Sequence, residues 1–320
     1  MNVLVTGGAG FIGSHLVDRL IADGHRVGVL DDFSTGREAN LAHLAGHPQL
    51  RVVRGSILDE ALVQTAMAEV DLIYHLAAAV GVGHVIADPL RALVINTRGT
   101  EIVLECAARA GARVVFASTS EIYGTSGDLP FREDGLRVLG PTWIHRWGYS
   151  TAKAAGEHLC FAHADRGLAV SIVRYFNTYG PRLDPGGYGS VIARFITQAL
   201  AGDPLTVHGD GEQSRCFTFV TETVDATIRA GSDPAAVGEV FNIGSGFGCT
   251  INALARLIIE VTGSTSPIAH IPYDDAYGPG FADTRRREPD VSKAGTILGW
   301  QPTIPLEEGL RQVLAERTPR

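Results

Sequence analysis

Short, largely apolar runs alternate with segments of helical period through the first half of the chain. The runs lie at residues 3–5, 26–30, 51–53, 72–76, 113–117 and 169–173. Such continuous runs suit strands buried on both faces. Between them, residues 12–23, 60–68, 93–110 and 149–165 repeat apolar positions three and four apart, which predicts helices. Strand alternating with helix predicts an α/β fold with a doubly wound parallel sheet.

The texture changes after Asn177. Glycine and proline cluster over residues 180–187, which predicts an irregular segment. A helix at 191–201 and a strand at 205–208 follow, with further helices near 251–262 and 305–315. The apolar runs at 216–220 and 239–243 are expected to return to the main sheet. This divides the chain into a sheet domain, residues 1–176 with about 217–243, and a smaller α/β lobe, about 177–216 with 244–320. Open sheets of this kind bind ligands beyond the carboxyl ends of their strands, so the site is expected in the crevice between the two.

Composition narrows the class of protein. Of 320 residues, 45% are hydrophobic and 19% charged, which fits a globular chain. The net charge of -8 and the lack of a long Lys/Arg run argue against nucleic acid as a partner. The four cysteines, Cys106, Cys160, Cys216 and Cys249, are scattered and show no zinc spacing, so no metal is expected. They read as reduced thiols of a cytoplasmic protein. The apolar window at 71–87 is broken by His75, Gly81, Gly83 and His84, so it does not read as a membrane span. The chain opens on a strand rather than a leader segment.

Two motifs bring chemistry. Gly7, Gly10 and Gly13 stand between the first strand and the first helix, where Phe11 and Ile12 begin the helix. Glycines there let a pyrophosphate approach the backbone N–H groups of a helix N-terminus. Asp31 ends the second strand, eighteen residues after Gly13, and is followed by Asp32. A carboxylate there can accept from ribose hydroxyls and repels a 2′-phosphate, which favours NAD over NADP. Arg37 just beyond pulls slightly the other way. Far downstream, Tyr149 and Lys153 are four apart, hence on one face of a helix. A phenol with an ammonium beside it can act as a base on a sugar hydroxyl. Alone, such a pair is more often surface decoration; the glycine turn changes that balance.

With these motifs stand Leu76-Ala77-Ala78, Asn96, Ser118-Thr119-Ser120-Glu121 and the run from Tyr175 to Arg182. Together they resemble the extended short-chain dehydrogenase/reductase family, and within it the nucleotide-sugar epimerases, dehydratases and decarboxylases. The resemblance covers nearly the whole chain. It implies a Rossmann-type sheet, a tightly held NAD, a UDP-sugar substrate and a homodimer formed through the helices at 93–110 and 149–165. It places Leu76, Ala77, Ala78 and Asn96 at the cofactor. Ser56 departs from the pattern, since many relatives carry Asp there for the adenine; Ile57 is expected to assist. For the substrate, the resemblance implies Asn177 at the sugar diphosphate, Arg182 among the substrate-binding residues and Arg215 on a phosphate. Thr206 and His208 fall on the strand that pairs with uracil, although relatives often have Tyr where His208 stands.

The choice among reactions falls on other residues. Thr119 is expected to hydrogen-bond the sugar O4. Related 4,6-dehydratases follow that Thr with Asp-Glu, and here the pair is Ser120-Glu121, so the acid for dehydration is missing. Thr-Ser-Glu resembles the UDP-glucuronate decarboxylases. So do Arg146-Trp147 ahead of Tyr149, Tyr277 in Tyr-Gly-Pro-Gly-Phe281, and Arg287 ahead of Pro289. Arg287 matches an arginine placed near the reacting sugar. The expected activity is NAD-dependent decarboxylation of UDP-glucuronate through a 4-keto sugar, giving UDP-xylose, the 4-keto pentose, or both. Lys153 is expected to keep Tyr149 anionic, and Glu121 to disfavour the bound carboxylate by repulsion. The rivals are a UDP-glucuronate or UDP-glucose 4-epimerase, with the same Tyr149 and Lys153, and a non-catalytic nucleotide sensor.

Overall fold

The computed structural model describes residues 1–184, 191–277 and 284–317. The first half is built from β1 (Asn2–Thr6), α1 (Phe11–Ala22), β2 (Arg26–Asp31), β3 (Leu50–Arg54), α2 (Glu60–Ala66) and β4 (Leu72–His75). It continues with α3 (Val82–Ala87), α4 (Pro89–Val94), α5 (Thr100–Ala110), β5 (Arg113–Thr119), α6 (Arg146–Ala164) and β6 (Val170–Tyr175). After these come β7 (Thr178–Tyr179), α7 (Val191–Ala201), β8 (Leu205–His208), β9 (Ser214–Cys216), β10 (Thr218–Phe219) and α8 (Val220–Ser232). The chain ends with β11 (Val240–Ile243), β12 (Gly248–Thr250), α9 (Ile251–Thr262), β13 (Ile268–Ile271), α10 (Tyr273–Tyr277), β14 (Arg286–Arg287), α11 (Ser292–Leu298) and α12 (Leu306–Arg317).

Seven strands form one sheet in the order β11-β6-β5-β4-β1-β2-β3, and every pairing is parallel. Strand order reverses between β1 and β4, and the crevice opens there. One face of the sheet is covered by a core containing Leu16, Val17, Leu20, Val224 and Trp300. The other is covered by Val63, Ile102, Val103, Leu104 and Cys160. Burial on both faces explains why β4 and β6 read as largely apolar runs. A separate core containing Tyr179, Phe195, Ile196, Leu254 and Leu310 supports the smaller sheets. Among the described residues, no helix is long and apolar enough to cross a membrane.

Three local expectations need correction. The run at 216–220 does not rejoin the main sheet, although 239–243 does. Residues 214–216 pair with β12 and β14, and 218–219 pair with β7. An apolar run reports burial, not which sheet receives it. The single helix expected at 93–110 is three segments, with π-helical turns over Ile95–Gly99 between α4 and α5. Finally, α11 lies inside the range expected for the small lobe, yet Ala294, Leu298 and Trp300 pack into the first core of the main sheet.

Candidate active site

At the tip of β1 the backbone turns through Gly7, with φ of +73°. A Cβ on Gly7 would stand 2.7 Å from the Ala77 nitrogen, and one on Gly13 only 2.2 Å from the Gly7 carbonyl oxygen. The turn therefore closes against the loop after β4 only because both side chains are missing. Two hydrogen bonds lock that closure: Leu76 N–H to the Thr6 carbonyl at 3.1 Å, and Ala77 N–H to Thr6 Oγ1 at 3.2 Å. Gly10 precedes α1 without a side-chain cap, so the N–H groups at Phe11 and Ile12 begin a helix end open to an anion.

Asp31 ends β2, and its two carboxylate oxygens accept from Phe33 N–H at 2.8 Å and Ala9 N–H at 2.9 Å. Burial raises its pKa, and those two donors oppose the rise. Asp32 is exposed and accepts from Ser34 N–H, which shapes the following turn. Arg37 pairs with Asp184 at 2.5 Å. Ser56 accepts from Leu58 N–H at 3.2 Å, and Ile57 is buried beside Gly99. Asn96, expected at the cofactor, commits both ends of its amide to the backbone of Ala79, each at 2.9 Å. It therefore fixes the loop carrying Leu76, Ala77 and Ala78, and the π-helical turn is what points it inward. The Cβ-free turn, the uncapped helix end and the carboxylate at the tip of β2 fit a dinucleotide.

The reacting end gathers on β5, the turn after it, and α6. Gly156 lets α6 approach the sheet, since a Cβ there would stand 2.6 Å from Phe116. Lys153 lies over the Phe116 ring and donates from Nζ to the Ala117 carbonyl at 2.8 Å. Burial lowers its pKa to about 8. Tyr149, one turn before it, shares a hydrogen bond with the Thr119 hydroxyl, which lowers the phenol's pKa. Burial first, and then the Glu121 carboxylate, push it up by more. The Lys153 ammonium, expected to lower the phenol's pKa, gives its hydrogen bond to the Ala117 carbonyl. Positive charge brought by a bound oxidised nicotinamide would lower that pKa.

Thr119 opens a tight turn over Ser120–Tyr123, and its Oγ1 accepts from Glu121 N–H at 3.1 Å. Ser150 on α6 donates to the Glu121 carbonyl at 2.8 Å, tying the turn to the helix of Tyr149. Ser120 is buried in that turn. The Glu121 carboxylate, 20% exposed, lies between two more deeply buried guanidinium groups. Arg287 Nη1 is 2.8 Å from one oxygen and Arg146 Nη2 is 3.7 Å from the other. Two guanidinium groups thus face the one Glu121 carboxylate. Arg146 was marked in the sequence only by its Arg-Trp-x-Tyr spacing; helical turns starting at Arg146 rather than Tyr149 bring it inward.

The residues expected at the nucleotide scatter more widely. Arg215 and Arg287 are register partners on β9 and β14. Arg215 Nη1 donates to the carbonyls of Ser214 and Thr284, at 2.7 and 2.8 Å. Asn177 has its Oδ1 buried with no hydrogen-bond partner, an acceptor waiting for a donor. Thr206 is held at its N–H and hydroxyl by Gln198. Burial, then the nearby Arg194, lowers the His208 pKa to about 4, so its imidazole is neutral at physiological pH. Arg182, expected at the substrate, pairs with Asp18 of α1 at 2.7 Å, in a left-handed backbone conformation. Tyr277 closes α10, while its side chain and the motif residues 278–281 lie outside the described residues.

Comparison with known proteins gives this geometry its context. Residues 3–244 match the NAD dependent epimerase/dehydratase family. The chain is 42% identical to the UDP-N-acetyl-alpha-D-glucosaminuronate decarboxylase of Bacillus cytotoxicus, over 97% of this chain and 96% of that protein. It is 38% identical to UDP-glucuronic acid decarboxylase 1 of Xenopus tropicalis, over 98% of this chain and 71% of that one. Its fold superposes with a TM-score of 0.88 on the UDP-glucuronic acid 4-epimerase of Bacillus cereus, solved with UDP-glucuronic acid and NAD. That match is 30% identical and covers 98% of both chains.

Proposed function

The chain belongs to the NAD-dependent epimerase/dehydratase family, and we propose that it decarboxylates UDP-glucuronate. It is an NAD-dependent enzyme that modifies nucleotide sugars. The observation that carries the finer reading is the Glu121 carboxylate set between Arg287 and Arg146, beside Tyr149. A UDP-glucose 4-epimerase turns over a neutral ring and needs no such corner, whereas a UDP-glucuronate 4-epimerase shares the carboxylate and is separated by the assay below. Two guanidinium groups at this corner suit a substrate that carries a carboxylate of its own.

NAD, held by the Gly7–Gly13 turn and Asp31, supplies a hydride acceptor at the sugar C4 and can return the hydride. The protein's residues do the rest. Thr119 and Tyr149 bind the O4 hydroxyl, and Tyr149 takes its proton. A ketone at C4 makes the C6 carboxylate a β-keto acid. The C5–C6 bond then breaks, carbon dioxide leaves, and the electron pair stays on the sugar as an enolate. Arg287 and Arg146 orient the carboxylate, and a proton delivered at C5 completes the pentose unit. Asn177 and Arg215 hold the diphosphate and His208 and Thr206 the base. A homodimer through α4, α5 and α6 is part of the proposal. It is supported by Leu90, Leu93, Val94 and Phe161, which are exposed on these helices. A monomeric mass in light scattering would refute the dimer.

The test of the activity is incubation of the NAD-loaded enzyme with UDP-glucuronate, followed by mass spectrometry. Loss of carbon dioxide is expected, and an isobaric product would sink the reading in favour of an epimerase. UDP-N-acetylglucosaminuronate belongs in the same assay, because the 42% identical relative bears that name.

A further inference from the structure

Beneath the reacting residues lies a buried polar ring. Arg174 donates from Nε and Nη2 to the two oxygens of Glu157, at 2.9 and 2.7 Å. Its Nη1 donates to the Tyr123 hydroxyl at 2.8 Å and to the Glu133 carbonyl at 2.9 Å. The Tyr123 hydroxyl donates onward to Asn242 Oδ1 at 2.7 Å. Asn242 Nδ2 donates to the carbonyls of Phe131, at 2.8 Å, and Asp290, at 3.3 Å. Phe131 in turn grips the segment after β14, donating to the Glu288 carbonyl at 2.7 Å and accepting from Asp290 N–H at 2.8 Å. Arg174, Glu157, Tyr123 and Asn242 are all buried.

Each station adjoins a residue of the proposed chemistry. Glu157 is one helical turn beyond Lys153 on α6. Tyr123 is two residues beyond Glu121, and Glu288 follows Arg287 directly. The Glu121–Arg287 ion pair closes the circuit at 2.8 Å. A buried ring with its hydrogen bonds made resists displacement, because each broken link leaves a polar group without water. Tyr123 is the member shared by the turn, Arg174 and Asn242. Its ring also stacks on Phe131, with centroids 4.6 Å apart, so removing the hydroxyl opens the ring while keeping the aromatic shape.

We propose that the Tyr123 hydroxyl is a positioning group that holds the Glu121–Arg287 pair in register with Tyr149 and Lys153. It thereby governs how fast a 4-keto intermediate loses its carboxylate, more than how fast C4 is oxidised. This rests on the decarboxylase reading.

The test compares NAD-loaded wild type with Tyr123→Phe on mixing with UDP-glucuronate. Reduced nicotinamide absorbance follows C4 oxidation, and released carbon dioxide follows the later step. Carbon dioxide release is expected to slow by about tenfold or more while oxidation stays within about twofold, and 4-keto hexuronate should accumulate. An equal loss in both steps, or no change in carbon dioxide release, overturns the assignment. In a Glu121→Gln background the Tyr123 effect should vanish, and a full multiplicative loss there also overturns it. Should Tyr123→Phe fail to fold, Glu133→Gln weakens the neighbouring link to Asn242 N–H at 2.7 Å and carries the same expectation at smaller amplitude. A wild type that releases no carbon dioxide from UDP-glucuronate marks failure of the decarboxylase reading instead.

Discussion

Around Gly7 and Gly13 the protein works by leaving atoms out, whereas around Glu121 it works by bringing charges in. The cofactor end is made mostly of backbone, with the Asp31 carboxylate at the tip of β2. Nearly all of it comes from one strand–turn–helix–strand stretch and the loop after β4. The reacting end draws charged side chains from the turn after β5, from α6 and from β14. The first region should fail when volume is added. The second should fail when a proton or a charge is removed.

The largest effect is expected at the phenol. Tyr149→Phe keeps ring and packing but removes the base, so C4 oxidation and carbon dioxide release should both fall by about 10²–10⁴-fold. NAD affinity, read by fluorescence titration, should stay close to wild type. Loss of NAD binding in parallel would show that the two regions are not separable in the way described.

Gly13→Ala attacks the other side of the comparison. A methyl group 2.2 Å from the Gly7 carbonyl oxygen must push α1 off the turn. Overpacking of this kind costs about 1–3 kcal/mol, which thermal unfolding would register, and the purified protein should carry little NAD. Normal NAD content at normal stability would remove the volume argument.

Glu121→Gln comes next. It keeps the shape of the corner but removes the negative charge that faces Arg287 and Arg146. Carbon dioxide release should drop about tenfold or more, with C4 oxidation largely retained, since charge placed for one step matters most at that step. Equal loss in both steps would make Glu121 a structural partner of the arginines.

The same contrast explains what was legible in the sequence. The glycine turn, Asp31 and the alternation of strand and helix could be read locally, because backbone constraints leave their mark on neighbouring residues. Tyr149 and Lys153 were legible as a pair, but the Lys153 hydrogen bond to Ala117 was not, because it depends on how closely Gly156 lets α6 approach Phe116. Glu121 and Arg287 were each singled out, but their contact joins positions far apart in the chain and has no local signature. The paired hydrogen bonds of Asn96 to Ala79 were not legible either, since helical period does not reveal a π turn. The run at 216–220 shows the limit from the other direction. Its apolar character was plain, but two short pairings in different sheets look the same in sequence as one strand.

The smallest expected effect lies where the two regions meet. His75 ends β4, fully buried, with Nδ1 2.8 Å from Thr6 Oγ1 and Nε2 3.2 Å from Thr100 Oγ1. Thr6 belongs to the cofactor end, and Lys153, whose charge acts on His75, to the reacting end. Burial first, and then Lys153, lowers the His75 pKa to about 3. An unfolded chain takes up this proton near pH ~6.5. The folded state refuses it until far lower pH. The neutral imidazole's contribution is thus fully present above about pH 6.5 and drains away as pH falls toward the folded value, at up to about 1.4 kcal/mol per pH unit. His75→Gln keeps a polar side chain but has nothing to titrate. Denaturant unfolding between about pH 6 and 4 should therefore show wild type losing stability more steeply than the variant. Parallel slopes would mean that His75 is protonated in the folded protein, and that the seam between the two regions is wetter than its burial implies.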